Sequence, residues 1–333
     1  MSKLIRSVAS SAAAAAGRIA DVVRETPLVR SAAFSDATGA EVYLKLENLQ
    51  HTGSFKLRGA TNCLMTFSAK QRDRGCVAAS SGNHGAAVAY AMRKLGTRGV
   101  IFVPEQTSPV KVDAIKHYGG EVRFFGTDGL DTEQHAREFA ANNGMYYLSP
   151  YNDAEVIAGQ GTCGVEIVRQ LPDVEAAFIS VGGGGLIGGV GSVLRTHNAA
   201  VRLYGCQPAA SAVMARSVAA GTILDLPSEP TLSDGTAGGV EADSITFDLC
   251  RELVDEFLLV SEGQIAAAMR QYIVAEKHPI EGAAGVAIAA FLDVCAELQG
   301  SKVVIIICGA NVSQATLDEV CSAASPGGLP VTD

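Results

Sequence analysis

Lys56 is the residue whose neighbours most favour a chemical role. It lies in Thr52-Gly53-Ser54-Phe55-Lys56-Leu57-Arg58-Gly59-Ala60, directly after the strand-like run Val42-Tyr43-Leu44-Lys45-Leu46. A lysine held at such a strand-to-helix junction is partly buried, and burial lowers its pKa by disfavouring the ammonium form. The neutral amine can attack a carbonyl carbon and form an imine. Most lysines beside glycines are surface residues, so the assignment depends on other motifs.

Two glycine-rich turns downstream of Lys56 provide that support. The first is Ser80-Ser81-Gly82-Asn83-His84-Gly85, between the apolar run 76–79 and a helical pattern from Ala86. The second is Gly182-Gly183-Gly184-Gly185-Leu186, between the apolar run 177–181 and a helix towards Arg195. In such turns several backbone N–H groups converge, and the N-terminus of the following helix carries partial positive charge. Both turns therefore predict binding of an anion, most simply a phosphate.

The second turn also has the glycine spacing of a dinucleotide-binding fingerprint. That fingerprint requires an acidic residue about 20 residues further on, at the end of the next strand. Here the next strand ends in Gln207-Pro208, which disfavours a nicotinamide cofactor. No Gly-Lys-Ser/Thr follows the glycines, so a Walker loop is excluded. The other alternative is a tight turn that only connects a strand to a helix.

Taken together and in this order, the motifs resemble the fold-type II pyridoxal-phosphate enzymes, specifically the serine/threonine dehydratase and serine racemase group. The matching segments are residues 26–28, 54–60, 80–85, 104–122, 157–162, 182–185, 233–235, 281–285 and 308–311. The resemblance implies pyridoxal 5′-phosphate as cofactor and an α/β fold similar to the tryptophan synthase β subunit. It places a small domain of residues 69–148 within a large cofactor-binding domain of residues 1–68 and 149–333, with the cofactor in the cleft between them.

The resemblance also assigns roles to individual residues. Lys56 would hold the cofactor as an imine and then remove the α-proton of the substrate. The other cofactor contacts would come from Phe55 at the ring face, Asn83 at the 3′ oxygen, Gly182, Gly183, Gly184, Gly185 and Leu186 at the phosphate, Gly235 and Glu281 in the cleft, and Cys308 at the ring nitrogen. The substrate carboxylate would be bound by Ser80, Ser81, Gly82 and His84, with Tyr151 nearby.

Cys308 favours elimination as the reaction. A thiol is too weak an acid to protonate the ring nitrogen, and an unprotonated ring is the poorer electron sink, which favours prompt loss of a β-leaving group. The resemblance therefore implies a lyase, an ammonia-lyase that converts a 3-hydroxy amino acid such as L-threonine or L-serine into a 2-oxo acid and ammonia. A buried cysteine without a chemical role is the alternative, because cysteine is often buried.

Other activities of the same group stay open. Ser81 is the residue that serine racemases use as an acid/base, so racemisation is the main alternative. Thr132, where those racemases have an arginine, and Tyr151, which is closer to the dehydratase pattern, favour elimination. Dehydratases of 3-hydroxyaspartate, phenylserine or a hydroxyectoine-derived amino acid share these motifs, and the stereochemistry is not determined. A β-replacement enzyme such as cysteine synthase is disfavoured because His84 follows Asn83.

The metal site of some relatives is expected to be missing. Metal-dependent members carry Glu-Pro and a following Asp, whereas this chain has Gln207-Pro208 and Val213. Two of the hard oxygen ligands that Mg²⁺ or Ca²⁺ prefers are therefore absent. We predict that this Mg²⁺ or Ca²⁺ site is lost or altered and assign no metal ligand, while whether another cation is bound stays open.

The amino-acid composition limits the classes of molecule that the protein is expected to bind. The 333 residues carry a net charge of −9, with no Trp, which argues against nucleic acid. No apolar run reaches the ~18 residues needed to cross a membrane. The eight cysteines form no Cys-x-x-Cys pair, so a reducing, cytoplasmic location is favoured over disulfides or zinc. A homodimer is expected from the resemblance alone.

Alternating strands and helices must position these residues. Apolar strands are predicted at residues 100–103, 121–125, 177–181, 203–206 and 303–308, and helices at 110–118, 132–142, 161–170, 262–276 and 285–298. This alternation is typical of parallel α/β folds. Residues 1–18, rich in Ala and Ser with no acidic residue, resemble a transit peptide, but we predict an N-terminal helix. The C-terminal regulatory domain of long threonine dehydratases is not expected, nor is feedback control by isoleucine.

Overall fold

Strands and helices alternate throughout residues 1–322, the part of the chain that the computed structural model describes. The strands are β1 (Leu28–Arg30), β2 (Glu41–Lys45), β3 (Cys76–Ala79), β4 (Gly99–Val103), β5 (Glu121–Phe124), β6 (Tyr146–Tyr147), β7 (Ala176–Ser180), β8 (Arg202–Pro208), β9 (Glu256–Val260) and β10 (Lys302–Ile306). The helices are α1 (Lys3–Ile19), α2 (Ala32–Thr38), α3 (Lys56–Met65), α4 (Ala69–Arg74), α5 (Asn83–Leu95), α6 (Pro109–His117), α7 (Gly129–Asn143), α8 (Ala154–Gln170), α9 (Gly185–His197), α10 (Val213–Ala220), α11 (Ile245–Leu253), α12 (Glu262–Glu276), α13 (Gly282–Val294) and α14 (Gln314–Ser322).

The larger sheet has six strands in the order β1-β2-β10-β7-β8-β9. All its neighbours pair in parallel except β1 and β2, which are antiparallel. Every residue of β7 is buried, as are the last four of β10. Parallel strands covered by helices on both faces read as continuous apolar runs, which is why these two strands are recognisable from the sequence. The predicted α/β fold class is confirmed.

The smaller sheet has four parallel strands in the order β5-β4-β3-β6, all of them between Cys76 and Tyr147. It has its own apolar clusters, which include Ile101 and Leu148 on one side and Phe102 and Ala136 on the other. We propose that residues 69–148 are the small domain and that residues 1–68 and 149–333 are the large one. Residues 323–333 of that predicted large domain lie outside the described residues.

Most predicted elements agree with the structure to within a few residues, and α12 agrees at both ends. The predicted start of α8 at residue 161 is wrong, because the helix begins at Ala154. Its N-terminus is capped by Asp153, whose Oδ1 accepts from the backbone of Glu155 and Val156. The prediction failed because Gly159 and Gly161 have low helix propensity, which tertiary packing overrides here. The predicted N-terminal helix is present as α1.

Close packing between α3 and α8 fixes the helix that begins at Lys56. A Cβ atom added to Gly159 of α8 would lie 2.6 Å from the carbonyl oxygen of Arg58 and 2.6 Å from the Cα of Gly59. Only glycine permits this approach of two backbones. The first turn of α3 therefore has a fixed distance from α8.

Buried charges reinforce the same contact. The fully buried Arg58 donates from Nε to Glu47 Oε2 at 2.7 Å and from Nη1 to Glu166 Oε1 at 2.6 Å. Lys45 Nζ lies 2.6 Å from Glu166 Oε2, so two cations face two carboxylates. The charge on Arg58 holds the pKa of Glu47 below its usual value, although burial alone would raise it. Buried ions persist only when paired in this way.

Among the described residues, no helix is both long enough and apolar enough to cross a bilayer. All eight cysteines lie within this part of the chain and are free thiols.

Candidate active site

A cleft of about 1070 Å³ lies at the carboxyl ends of strands from both sheets. Its walls come from the segments that follow β3, β4, β7 and β10, and from the start of α3. Ligands of open parallel sheets bind at this edge, because the loops and helix N-termini converge there. All of the predicted site residues line this cleft: Phe55, Lys56, Ser80, Ser81, Gly82, Asn83, His84, Tyr151, Gly182, Gly183, Gly184, Gly185, Leu186, Gly235, Glu281 and Cys308.

Lys56 is the first residue of α3, and its amine faces the cleft. Nζ donates to the carbonyl oxygen of Pro150 at 2.9 Å and lies 5.2 Å from the ring centroid of Phe55. Burial of the amine lowers the pKa of Lys56 to about 8, although the negative charge of Glu281 acts in the opposite direction. A substantial neutral fraction is therefore present at mildly alkaline pH, as a nucleophile or base requires.

The glycine-rich loop connects β7 to α9. Gly184 has a φ of 84°, in the left-handed region that favours glycine. The first N–H groups of α9 have no partner within the helix and carry its positive dipole end, so the loop is suited to a phosphate. A Cβ atom added to Gly183 would lie 2.4 Å from the ring of Tyr151. Glycine is thus required here by the side chain that packs on the loop.

A hydrogen bond from the backbone holds the side chain of Tyr151 in place. Its hydroxyl accepts a hydrogen bond from the backbone N–H of Glu241 at 3.0 Å, and burial raises its pKa. The hydroxyl of Thr246 donates to the carbonyl oxygen of Gly183, on the same loop. The ring and the loop therefore form one rigid wall of the cleft.

A cluster of four polar residues forms the opposite wall. Asn83 Nδ2 donates to Glu281 Oε1 and Oε2 at 3.0 and 2.9 Å, and Asn83 Oδ1 accepts from Asn311 Nδ2 at 2.6 Å. The thiol of Cys308 donates to Glu281 Oε1 at 3.7 Å. Burial raises the pKa of Glu281 to about 7, and the hydrogen bond from Asn83 opposes this shift. Burial also raises the pKa of Cys308 well above its usual value, so its thiol is neutral.

The serine-containing turn leads into α5. Ser80 Oγ accepts from the N–H of Gly82 at 3.2 Å, and Ser80 and Ser81 are half-buried on the cleft surface. His84 is buried, with Nε2 2.9 Å from the carbonyl oxygen of Leu148. Burial, together with the charge of Lys56, lowers the pKa of His84 to about 3, so the imidazole is neutral. Its predicted contact with a substrate carboxylate stays a prediction, and Nε2 is already engaged by the protein.

Thr132 and Gly235, two further positions noted in the sequence, also line the cleft. The hydroxyl oxygen of Thr132 lies 2.7 and 2.6 Å from the carbonyl oxygens of Phe125 and Asp128, one of which accepts its single proton. Gly235 lies in the 3₁₀ turn Asp234–Thr236, where an added Cβ would be 3.8 Å from Glu281 Oε1.

Gln207 occupies the position where metal-dependent relatives carry a ligand. Its Nε2 donates to the carbonyl oxygen of Val181 at 3.0 Å, and its Oε1 accepts from the N–H of Ala215 at 2.7 Å. The neutral amide thus links the end of β7 to α10. Val213 is buried at 2 % exposure. Within residues 1–322 no group of three or more His, Cys, Asp or Glu residues could hold a metal ion.

No role was predicted for Asn311 or for the carbonyl of Pro150. Asn311 lies in the Cys-Gly-Ala-Asn segment that contributed to the resemblance, so its motif was a usable signal. Pro150 carried no such signal, because its contact with Lys56 joins residues 94 positions apart.

Comparisons with known proteins agree on the enzyme family. The sequence profile of the family described as pyridoxal-phosphate dependent enzyme matches residues 19–309. An L-threonine ammonia-lyase of Thermotoga maritima is 39% identical over 300 residues, which is 90% of this chain and 74% of that protein. The processed form of threonine deaminase isoform 2 from Solanum lycopersicum superposes with a TM-score of 0.92 at 34% identity, covering 96% and 88% of the two chains. Maize serine racemase superposes with a TM-score of 0.87 at 32% identity, covering 93% and 95%.

Proposed function

Since the chain belongs to the pyridoxal-phosphate-dependent enzyme family, we propose that it catalyses α,β-elimination of a 3-hydroxy amino acid such as L-threonine or L-serine, with release of a 2-oxo acid and ammonia. The observation that supports this most strongly is that one cleft brings together the Lys56 amine, a glycine-rich anion site and the neutral thiol of Cys308. The threonine ammonia-lyase and threonine deaminase similarities point to the same reaction.

The residues present fit the cofactor. Lys56 supplies a buried amine whose pKa is lowered, as covalent attachment to an aldehyde requires. Cβ atoms at Gly183 and Gly184 would collide with the ring of Tyr151 and with Sγ of Cys250, so glycine is needed for the path of the loop into the N-terminus of α9, where the phosphate would bind. Asn83 would contact the 3′ oxygen and Cys308 would lie at the ring nitrogen, in the arrangement that the resemblance implies.

Once bound, pyridoxal phosphate supplies an electron-withdrawing ring that acidifies the α C–H of an amino acid. Lys56 Nζ is the group of this chain that can take that proton, because its pKa of about 8 keeps part of the amine neutral near pH 8. The carbonyl of Pro150 accepts from the same Nζ at 2.9 Å and so directs the amine.

The substrate is oriented by the N-terminus of α5. Ser80, Ser81 and Gly82 line the cleft there, and the positive end of the helix dipole favours a carboxylate. The neutral Cys308 thiol is a poor proton donor for the ring nitrogen, which favours loss of the β-hydroxyl over reprotonation at Cα.

The experiment is an assay of 2-oxo acid and ammonia release by the purified holoenzyme with a panel of L- and D-3-hydroxy amino acids. We expect turnover of at least one compound, equal yields of the two products and no activity in Lys56→Ala. Absence of both products for the whole panel, in protein that contains bound cofactor, would refute elimination.

Racemisation is a second candidate because the hydroxyl of Ser81 lines the cleft and maize serine racemase has a similar structure. Ser81→Ala separates the two activities. If the enzyme is a racemase, this substitution abolishes inversion of the recovered amino acid, which is measured by chiral chromatography. If it is an eliminase, release of 2-oxo acid persists.

We also propose that the enzyme acts as a cytoplasmic homodimer. Eight free cysteines, seven of them at least partly shielded from solvent, support a reducing compartment. Light scattering of the holoenzyme tests the dimer, and a mass corresponding to one chain would exclude it.

A further inference from the structure

Glu281 is a buried carboxylate to which the proposed reaction assigns no step. It is 4 % exposed and immediately precedes α13, yet its side chain does not cap that helix. Instead it accepts hydrogen bonds from Asn83 Nδ2, from the backbone N–H of Asn311 at 3.2 Å and from the thiol of Cys308. A carboxylate that is desolvated to this degree and bound to three partners has a defined position.

Packing against Gly309 fixes that position further. A Cβ atom added to Gly309 would lie 2.5–2.6 Å from the carboxyl atoms of Glu281, so the carboxylate rests directly on the backbone. The backbone N–H of Glu281 also donates to the carbonyl oxygen of Gly309 at 3.1 Å. The segment that contains Cys308 and the residue that contacts its sulfur are therefore held together as a unit.

Glu281 determines how the Asn83 amide is oriented. Above its pKa of about 7, Glu281 is ionised and only accepts hydrogen bonds, so the NH₂ group of Asn83 must face it and the carbonyl oxygen must face Asn311. This agrees with the contact of 2.6 Å between Asn83 Oδ1 and Asn311 Nδ2. A residue at position 281 that could also donate would allow the opposite orientation of the amide.

The same carboxylate determines where the Cys308 proton lies. A thiol has one proton, and here Sγ donates it to Glu281 Oε1. While that contact persists, the sulfur can offer no proton to a second acceptor. Other charged groups near the carboxylate are Lys56 and Asp234, which interact with it electrostatically.

We propose that Glu281 is a positioning residue for bound pyridoxal phosphate. It orients the Asn83 amide and accepts a hydrogen bond from the Cys308 thiol, so that the sulfur offers no proton to the ring nitrogen of the cofactor. The inference deepens the proposed function, since it makes the partition between elimination and return of the α-proton depend on Glu281. It does not depend on which 3-hydroxy amino acid is the substrate.

The test compares Glu281→Gln with the wild type by three measurements on purified protein, all made at a pH well above 7 so that Glu281 is ionised. These are the dissociation constant of pyridoxal phosphate, the absorbance maximum of the bound cofactor, and the ratio of α-hydrogen exchange to elimination in deuterated water. The glutamine can donate as well as accept, so it frees the thiol proton and places two donors in opposition. We expect cofactor affinity to fall by about tenfold or more, the absorbance maximum to shift and the exchange ratio to rise.

Three further variants make the result specific. Glu281→Asp keeps an acceptor-only group and is expected to restore part of the affinity. Glu252→Gln makes the same chemical change on the exposed surface of α11 and is expected to match the wild type. In Glu281→Gln/Cys308→Ala the rise in exchange ratio is expected to disappear, because no thiol proton is available.

Cys308→Ala alone tests the proposal even if the Glu281 variants do not fold. The absorbance maximum is expected to stay unchanged, since the thiol proton already points to Glu281 and not to the ring nitrogen. A clear shift in Cys308→Ala would overturn the proposal, and so would wild-type affinity and absorbance in Glu281→Gln. Failure of the wild type to release a 2-oxo acid would instead refute the proposed reaction, while the affinity and absorbance measurements would still test Glu281.

Discussion

Gly183→Ala is a small substitution for which the structure predicts a large effect. The added Cβ would lie 2.4 Å from both Cγ and Cδ1 of the Tyr151 ring and 2.6 Å from Cδ2. Carbon atoms in contact normally lie ~3.5–4.0 Å apart. Either the ring or the glycine-rich loop must therefore move by about 1 Å.

The free-energy cost of the substitution depends on the interactions that hold the Tyr151 ring and the glycine-rich loop in place. Overpacking of this kind typically costs ~1–3 kcal/mol. If the ring moves, the hydrogen bond from the Glu241 N–H to the Tyr151 hydroxyl at 3.0 Å is also at risk, which adds ~0.5–1.5 kcal/mol. If the loop moves, the N–H groups proposed to bind the phosphate are displaced. We expect a total loss of about 2–4 kcal/mol, divided between apoenzyme stability and cofactor affinity.

Both parts are measurable. Urea unfolding of the apoenzyme gives the loss of stability, and titration with pyridoxal phosphate followed by absorbance gives the loss of cofactor affinity. Gly17→Ala is the matched control, because its Cβ would meet nothing within 4 Å in the exposed part of α1. It is expected to stabilise by up to ~1 kcal/mol. In a Tyr151→Ala background, Gly183→Ala is expected to become nearly neutral. An equal cost in the two backgrounds would refute the steric explanation.

Three other predictions test separate features. Because the pKa of Lys56 is lowered to about 8 in the folded state from 10.5, the folded protein binds fewer protons than the unfolded chain between these values. The stability of the wild-type apoenzyme relative to Lys56→Met should therefore rise from pH 8 to pH 10 in urea unfolding, and parallel pH profiles would contradict this. Arg58→Met leaves two buried carboxylates with one fewer cation, so we expect the free energy of unfolding to fall by ~3–5 kcal/mol. Arg251→Met, at a half-exposed pair with Asp248, is expected to lose less than ~1 kcal/mol, and similar losses in the two variants would show that burial is not the cause. Addition of Mg²⁺ or of a chelator is expected to leave the melting temperature unchanged, whereas Gln207→Glu should destabilise by ~1–3 kcal/mol because a carboxylate cannot donate to Val181. Metal-dependent melting of the wild type would contradict the role given to the Gln207 amide.

Site residues can be identified from the sequence where the reactive group and the local structure that holds it lie within a few consecutive residues. Lys56 and the glycines at 182–185 were identified because each follows an apolar strand and precedes a helix, and such junctions meet at one edge of a parallel sheet. The start of α8 was predicted wrongly, because helix propensity is low for the glycines that allow α8 to approach α3.

The same contrast explains what the sequence could not show about the site. Asn83 and Glu281 are 198 positions apart, and a hydrogen bond at that separation depends on how two sheets are placed. The motifs assign each of these residues to the cofactor separately, whereas in the structure the two side chains are hydrogen-bonded to one another. Their chemistry is then a property of the cluster: the carboxylate limits what the amide and the thiol can donate. A substitution at Glu281 is therefore expected to change the behaviour of Asn83 and Cys308 without altering either side chain.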